Sequence, residues 1–198
     1  MNGRLLSMTM KRLIALFVGL AALTGVLVFA TRQAQLKAAP ASAFTGPTET
    51  AVFAGGCFWG LQAAFDEMPG VVSTRAGYAG GSSINPTYEQ VVAGKTGHAE
   101  AVEVVFDPAR VSFEQVARCF FAHHRSTSDE PETSYRKRAY RSAIFVSSSA
   151  QREVAERVRD EVVERNAGEK PVATLIENAT TFWEAEAYQQ KYLAKCAH

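Results

Sequence analysis

Apolar and polar positions follow two periods along this chain, and the switches between them mark its elements. Thr50 to Ala54 is a short apolar run ending at Gly55-Gly56, which predicts a buried strand. Leu61, Ala64, Phe65 and Met68 then recur at helical spacing until Pro69-Gly70. Val71 to Tyr78 reads as a strand, and Gly80 to Gly97, rich in glycine with an Asn-Pro step, reads as a loop. Ala99 to Phe106 alternates strictly and predicts a half-buried strand that stops at Asp107-Pro108. Ser112 to His124 predicts a helix capped by Ser112, with Val116, Cys119, Phe120 and His123 on one face. After an irregular polar stretch from Arg125 to Arg138 come a strand (142–147), a long helix (150–166), a strand (172–176) and a last helix (184–195).

This order predicts an α+β fold, one domain with a mixed β-sheet flanked by helices, over residues 49–198. At 47% hydrophobic and 21% charged residues, the chain holds enough apolar material for a packed core. The net charge of +1 gives no reason to expect nucleic acid or an acidic partner.

Ahead of the domain, Arg4, Lys11 and Arg12 precede an uncharged apolar run from Leu13 to Ala30. At about 1.5 Å per residue this run reaches roughly 27 Å, near the hydrocarbon thickness of a bilayer. Residues 1–30 are therefore expected to be a signal peptide or a membrane anchor, with 31–48 as a flexible tether. The run is long for a cleaved signal, although Ala41-Ser42-Ala43 offers a small-residue cleavage pattern. The positive flank keeps the N-terminus inside, so the domain is expected to be exported, periplasmic or held on the inner membrane facing the periplasm.

The richest chemistry lies at Gly55-Gly56-Cys57-Phe58-Trp59-Gly60. Cys57 falls where a strand turns into the first turn of a helix, where unpaired N–H groups favour a thiolate. The other cysteines, Cys119 and Cys196, form no Cys-x-x-Cys pair, and the four histidines do not join them at zinc-ligand intervals. Cys119 shares its apolar face with Val116 and Phe120 and reads as core. Gly94-Lys95-Thr96 imitates the end of a phosphate-binding loop, but Glu89 stands where its first glycine is required. Asn178-Ala179-Thr180 matches a glycosylation acceptor, which matters only in a eukaryotic secretory pathway.

Several separated motifs occur in order: Gly56-Cys57-Phe58-Trp59-Gly60; Gly77-Tyr78 with Gly80-Gly81 and Asn85-Pro86-Thr87-Tyr88; Thr96-Gly97-His98-Ala99-Glu100; and Tyr140-Arg141-Ser142-Ala143-Ile144. Phe182-Trp183-Glu184-Ala185-Glu186 and Gln190-Lys191-Tyr192-Leu193 close the series. Together they resemble the A-type peptide methionine sulfoxide reductases, which act on the S epimer and have a ferredoxin-like fold. The resemblance implies that Cys57 attacks the sulfoxide sulfur and becomes a sulfenic acid as methionine leaves. It makes Glu100 the acid that protonates the oxygen, and Tyr88 and Tyr140 the hydroxyls that bind it. Phe58 and Trp59 become the aromatic walls around the substrate methyl. Cys196 becomes the resolving thiol, forming a disulfide that a thioredoxin-like dithiol co-substrate reduces, with no bound cofactor or metal.

The implied partners are free methionine sulfoxide or oxidised methionine in exported proteins, and the implied state is a monomer that meets membrane only through its N-terminal segment. Two departures stand out. Tyr135 replaces the family's aspartate ahead of Tyr-Arg-Ser, and His124-Arg125-Ser126 stands where the family reads His-Asp-Pro. One alternative function is therefore an exported thiol-bearing binding protein of the same fold with lost or impaired turnover. Another is a cysteine hydrolase using Cys57 with His98 or His123.

Overall fold

The computed structural model describes residues 44–126, 138–166 and 171–196. The N-terminal apolar run, residues 31–43 of the tether, and Tyr135 with Asp129, Glu130 and Glu132 lie outside them. Among the described residues, no helix is long and apolar enough to cross a membrane.

Six strands form one sheet: β1 (Glu49–Gly55), β2 (Val71–Ala79), β3 (Ala99–Phe106), β4 (Ser142–Val146), β5 (Leu175–Asn178) and β6 (Trp183–Glu184). Their order is β5-β4-β1-β3-β2-β6. Only β4 and β5 pair in parallel, so the sheet is mixed. The described helices are α1 (Phe58–Asp66), α2 (Tyr88–Val92), α3 (Phe113–His123), α4 (Ser149–Arg165) and α5 (Tyr192–Cys196). This is the α+β architecture that the periodicity predicts. Helix α4 supplies the crossover that a parallel β4–β5 pair needs.

The strict alternation of β3 divides the interior. Val102, Val104 and Phe106 are fully buried in the main core, while Ala99 and Ala101 face a smaller cluster on the other side with Ala54, Ala143 and Phe145. Period two places Glu100 on the same face as Val102, turned toward the main core. Phe53 of β1 anchors that core, its ring centroid 5.3 Å from Phe65 of α1 and 5.2 Å from Phe120 of α3. Such aromatic pairs add about 0.5–1.5 kcal/mol beyond the area they bury.

Helix caps follow the sequence closely. Ser112 accepts from the Gln115 N–H while Gln115 reaches back to the Ser112 N–H, a complete capping box. The same box, Thr87 with Gln90, nucleates α2 inside what the sequence reads as a loop. His123, placed on the apolar face of α3 by periodicity, is instead exposed, its Nδ1 donating to the Cys119 carbonyl at 2.9 Å.

The C-terminal segment differs most. The expected helix over 184–195 is a short strand, then turns, then α5 over the last residues alone. Side chains compete with a helical backbone here. Gln190 donates to the carbonyls of Ala76 (2.8 Å) and Ala185 (2.9 Å) and accepts from the Ala76 N–H at 2.8 Å. Lys191 sits at φ +52°, interrupting any helix before Tyr192. The strap lies tight on β2, where a Cβ on Gly77 would meet the Trp183 carbonyl oxygen at 2.3 Å. Only glycine allows that approach.

His124, just beyond α3, closes the end of β1. Its ring stacks on Phe120 at 3.8 Å, Nδ1 donates to the Phe120 carbonyl at 2.6 Å, and Nε2 accepts from the Ser142 hydroxyl at 2.7 Å. Ser142 also bonds Thr174 at 2.7 Å, so the chain of bonds ties α3 to β4. Burial pushes the His124 imidazole down to about 4. The unfolded chain therefore binds a proton near pH 6.5 that the folded one refuses until about pH 4. The His124 contribution is complete above pH 6.5 and is lost as pH falls toward 4, by up to roughly 3 kcal/mol. Denaturant melts of wild type and His124→Gln across pH 4 to 7 should show a wild-type advantage that grows with pH in that window, and a constant difference would contradict this role.

Candidate active site

The site forms where β1 runs out into α1. Gly56 takes φ +84°, a conformation disfavoured for side-chain-bearing residues, and turns the chain so that Cys57 becomes the N-cap of α1. The first helical N–H groups are then open. One of them, from Phe58, donates to Glu100 Oε2 at 3.0 Å, and that of Trp59 is directed to the Cys57 sulfur. Strand β3 and helix α1 are thus joined by a carboxyl group at the foot of the nucleophile.

Glu100 is 1% exposed. Burial pushes its carboxyl up to about 7, against the opposing hydrogen bonds from the Phe58 N–H and the Tyr140 hydroxyl. A carboxylic acid at that value still holds its proton in a large fraction of molecules near neutral pH. Val102 and Val104, on the same face of β3, are fully buried in the core.

Cys57 itself behaves differently from the sequence expectation. It is open to solvent at the rim, yet its thiol is raised above the ordinary value, first by burial of the sulfur and then by the charge of Glu100. The Trp59 N–H works the other way and is outweighed. Burial of the sulfur, with the charge of Glu100, thus outweighs the helix-terminal N–H that would lower the thiol. Protonating Glu100 removes the repulsion, so one proton shared by the pair favours the combination of thiolate and carboxylic acid over two anions.

Tyr88 and Tyr140 complete the polar side. Both hydroxyls are raised by burial and then by Glu100, Tyr140 to about 12, so both remain protonated donors. They lie within hydrogen-bonding reach of one another, and Tyr140 of Glu100 as well. The buried Phe58 ring closes the apolar side, 6.4 Å from Tyr88 and 6.2 Å from Tyr78. Trp59 is fixed at the rim: its ring stacks on Tyr192 at 3.8 Å and 11°, and its Nε1 donates to Gln189 at 2.8 Å.

The structure therefore gathers Cys57, Phe58, Trp59, Tyr88, Glu100 and Tyr140 into one site. Cys196, at the end of α5, is a separate exposed free thiol, on the same short helix that begins with the Tyr192 stacked on Trp59. Cys119 is half-buried against the core. Gln189, Tyr192, Tyr78 and Glu186 also shape the site. Glu186 and Tyr192 lie in the closing motifs and Tyr78 in Gly77-Tyr78, whose individual roles the sequence alone left open, while Gln189 falls between motifs and carried no signal. His98 is spent structurally, with Nδ1 accepting from the Gly81 N–H at 3.0 Å and Nε2 donating to the Ser83 carbonyl at 2.8 Å. Neither it nor the exposed His123 is the oriented base that a cysteine hydrolase needs. Among the described residues there is no cluster of side chains suited to hold a metal.

Comparison with known proteins agrees with this arrangement. The family model "Peptide methionine sulfoxide reductase" matches residues 49–198. The peptide methionine sulfoxide reductase MsrA of Ligilactobacillus salivarius is 43% identical over 147 residues, which are 74% of this chain and 86% of that protein. Among solved structures, methionine sulfoxide reductase A of Corynebacterium diphtheriae superposes with a TM-score of 0.63 at 32% identity, covering 81% of this chain and 77% of that one. Mxr1 from Saccharomyces cerevisiae in reduced form gives a TM-score of 0.66 at 26% identity, covering 78% and 89%. That yeast protein is also solved in complex with Trx2, a form with a TM-score of 0.50 at 21% identity, covering 75% and 87%. With the fold and the matched span in agreement, the chain belongs to the peptide methionine sulfoxide reductases of the A type, which are oxidoreductases.

Proposed function

We propose that the protein reduces methionine S-sulfoxide through Cys57, with Glu100 as the proton donor. The observation that carries this reading is the buried Glu100 carboxyl, held by the Phe58 N–H beside the cysteine and raised to about 7. The Cys57 thiolate attacks the electrophilic sulfur while Glu100 protonates the oxygen, whose developing negative charge would otherwise be poorly stabilised. Tyr88 and Tyr140 donate to that oxygen, and Phe58 and Trp59 receive the methyl group. The sulfoxide S–O bond and the transient bond from Cys57 to the methionine sulfur then break as an S–O bond forms on Cys57, so methionine departs with the electron pair on its sulfur and Cys57 is left as a sulfenic acid. The Cys196 thiol then condenses with it, giving a Cys57–Cys196 disulfide and water. A thioredoxin-like dithiol protein, the class represented by the partner of the yeast relative, reduces the disulfide and is itself oxidised.

Cys57→Ser should abolish reduction of a sulfoxide substrate, and Glu100→Gln should lower it about 10²–10⁴-fold, because an amide cannot release the proton. In a steady-state assay, full activity in either variant would contradict the assigned role.

The pH profile carries the sign of the shared proton. The reactive form keeps one proton on the pair, on Glu100 and off the sulfur. The wild-type rate should climb with pH up to about 7, level off, and fall once the raised thiol also titrates. In Glu100→Gln the climb should continue to the thiol's own value. Superimposable profiles would show that Glu100 takes no part.

Recycling predicts a Cys57–Cys196 disulfide after one turnover without reductant, detected by peptide mass spectrometry. Cys196→Ser should retain the first turnover and stall with a dithiol protein. A Cys57–Cys119 bond would overturn this assignment.

The basic flank and apolar run from Leu13 to Ala30 support placing the domain outside the cytoplasm, where residues 1–30 act as signal or anchor and 31–48 as tether. The periplasm is kept oxidising, so the reductant there is a dithiol replenished through the membrane, and methionine oxidised in exported proteins is the substrate. Fractionation should find the protein with membranes or periplasm. Soluble cytosolic protein with an intact N-terminus would refute the placement and leave the chemistry at Cys57 untouched.

A further inference from the structure

The Phe182–Glu186 motif has a side chain with access to the reaction machinery from behind. Glu186 lies in the strap that follows β6, 98 residues after Tyr88 and 108 after Tyr78. Its Oε1 accepts from the Tyr88 backbone N–H at 2.9 Å, and its Oε2 accepts from the Tyr78 hydroxyl at 2.8 Å. Each carboxylate oxygen thus has a donor, one on β2 and one at the first residue of α2.

The location of those two donors gives the contact its meaning. Tyr88 opens α2, a helix of five residues, too short to hold its own direction. Its capping box orders the turn locally, through Thr87 and Gln90, but ties it to nothing else. Tyr78 is fully buried in β2 and paired with Glu100 across the ladder. The Glu186 carboxylate therefore fixes the start of α2, and with it the Cα of Tyr88, to the strand beside Glu100. The strap that presents Glu186 is itself fastened by Gln190 to Ala76 and by the Lys191 N–H to Gln62 at 2.8 Å. The Glu186 carboxyl is held below its ordinary value, its burial outweighed by the Tyr88 N–H, its own N–H and the Tyr78 hydroxyl.

We infer that Glu186 is a positioning residue for Tyr88: its carboxylate sets the first turn of α2 so that the Tyr88 hydroxyl meets the substrate oxygen as charge develops there. The inference rests on the reading of Tyr88 as an oxygen-binding hydroxyl. Glu186 touches neither substrate nor Cys57. Its effect passes through the Tyr88 backbone and belongs to the chemical step more than to binding, since a donor aimed at a developing charge acts mainly in the transition state.

The test is a double-mutant cycle on the first turnover, with a peptide methionine sulfoxide as substrate and circular dichroism as a check of folding. Glu186→Ala should lower the turnover rate about tenfold with little change in KM. Glu186→Gln should recover most of that loss, because its amide oxygen can accept from the Tyr88 N–H while its NH2 donates to the Tyr78 oxygen. Tyr88→Phe should lower the rate by itself, and adding Glu186→Ala to it should cost less than about twofold more, since the hydroxyl being positioned is gone. Full additivity of the two losses, or an unchanged rate in Glu186→Ala, overturns the positioning role while leaving the Tyr88 reading intact. An unchanged rate in Tyr88→Phe overturns both. If Glu186→Ala does not fold, Tyr78→Phe removes one of the two donors and keeps the ring. It should then lose about threefold, and no loss there would overturn the inference.

Discussion

A single carboxyl group holds this site together. Glu100 occupies an inward position of β3 that period two makes apolar, and it accepts the Phe58 N–H of α1 at 3.0 Å. That bond joins the central strand to the helix that begins just after Cys57. It also consumes a helix-terminal donor that would otherwise stabilise the thiolate. The same burial that makes Glu100 a proton donor near neutrality raises the thiol beside it. Structure and reactivity are coupled here through one desolvated acid, whose cost is compensated by two hydrogen bonds and by the reaction it serves.

Around this pair the fold assembles pieces from distant parts of the sequence. The β1–α1 turn brings Cys57 and the aromatic walls, and β3 brings the acid. Arg141 binds the loop between β2 and β3 at both ends, donating to Gly97 O at 3.1 Å and Gly80 O at 3.3 Å. That clamp places Tyr88, on the loop, near Tyr140, the clamp's immediate neighbour in sequence. The C-terminal strap then backs the whole site, through Gln189 and Tyr192 on Trp59 and Glu186 on Tyr78 and Tyr88. Cys196 ends that strap. The segment that carries the second thiol thus also shapes the pocket of the first.

Much of this was legible in the sequence for specific reasons. The alternation over Ala99–Phe106 gave β3 to the residue, because an interior strand with two covered faces leaves little freedom of register. Ser112 gave the start of α3 because a capping box is a local device. Glu100 was legible as the acid only through the resemblance carried by the Thr96–Glu100 motif, not from its place in register with Val102 and Val104. What failed were features decided at long range. The helix expected over 184–195 gave way because Gln190 and the close approach at Gly77 bind that segment to β2, which no local pattern reveals. The lowering expected for the Cys57 thiol is outweighed by burial of its sulfur and by the charge of Glu100, brought in from β3. The short α2 was hidden by its loop-like Asn-Pro setting, although Thr87 and Gln90 carried the signal.

The central claim is that Glu100 holds a proton near neutral pH, next to Cys57, before any substrate arrives. Infrared difference spectroscopy of carboxyl groups, titrated across pH 5 to 9 in wild type and Glu100→Gln, tests it most directly. The account predicts a protonated-carboxyl band that disappears with a midpoint of about 7 and is missing from Glu100→Gln. A Glu100 band that has already vanished by pH 5 would contradict it, because so strong an acid would leave almost none of the singly protonated pair with its proton on Glu100 and off the sulfur.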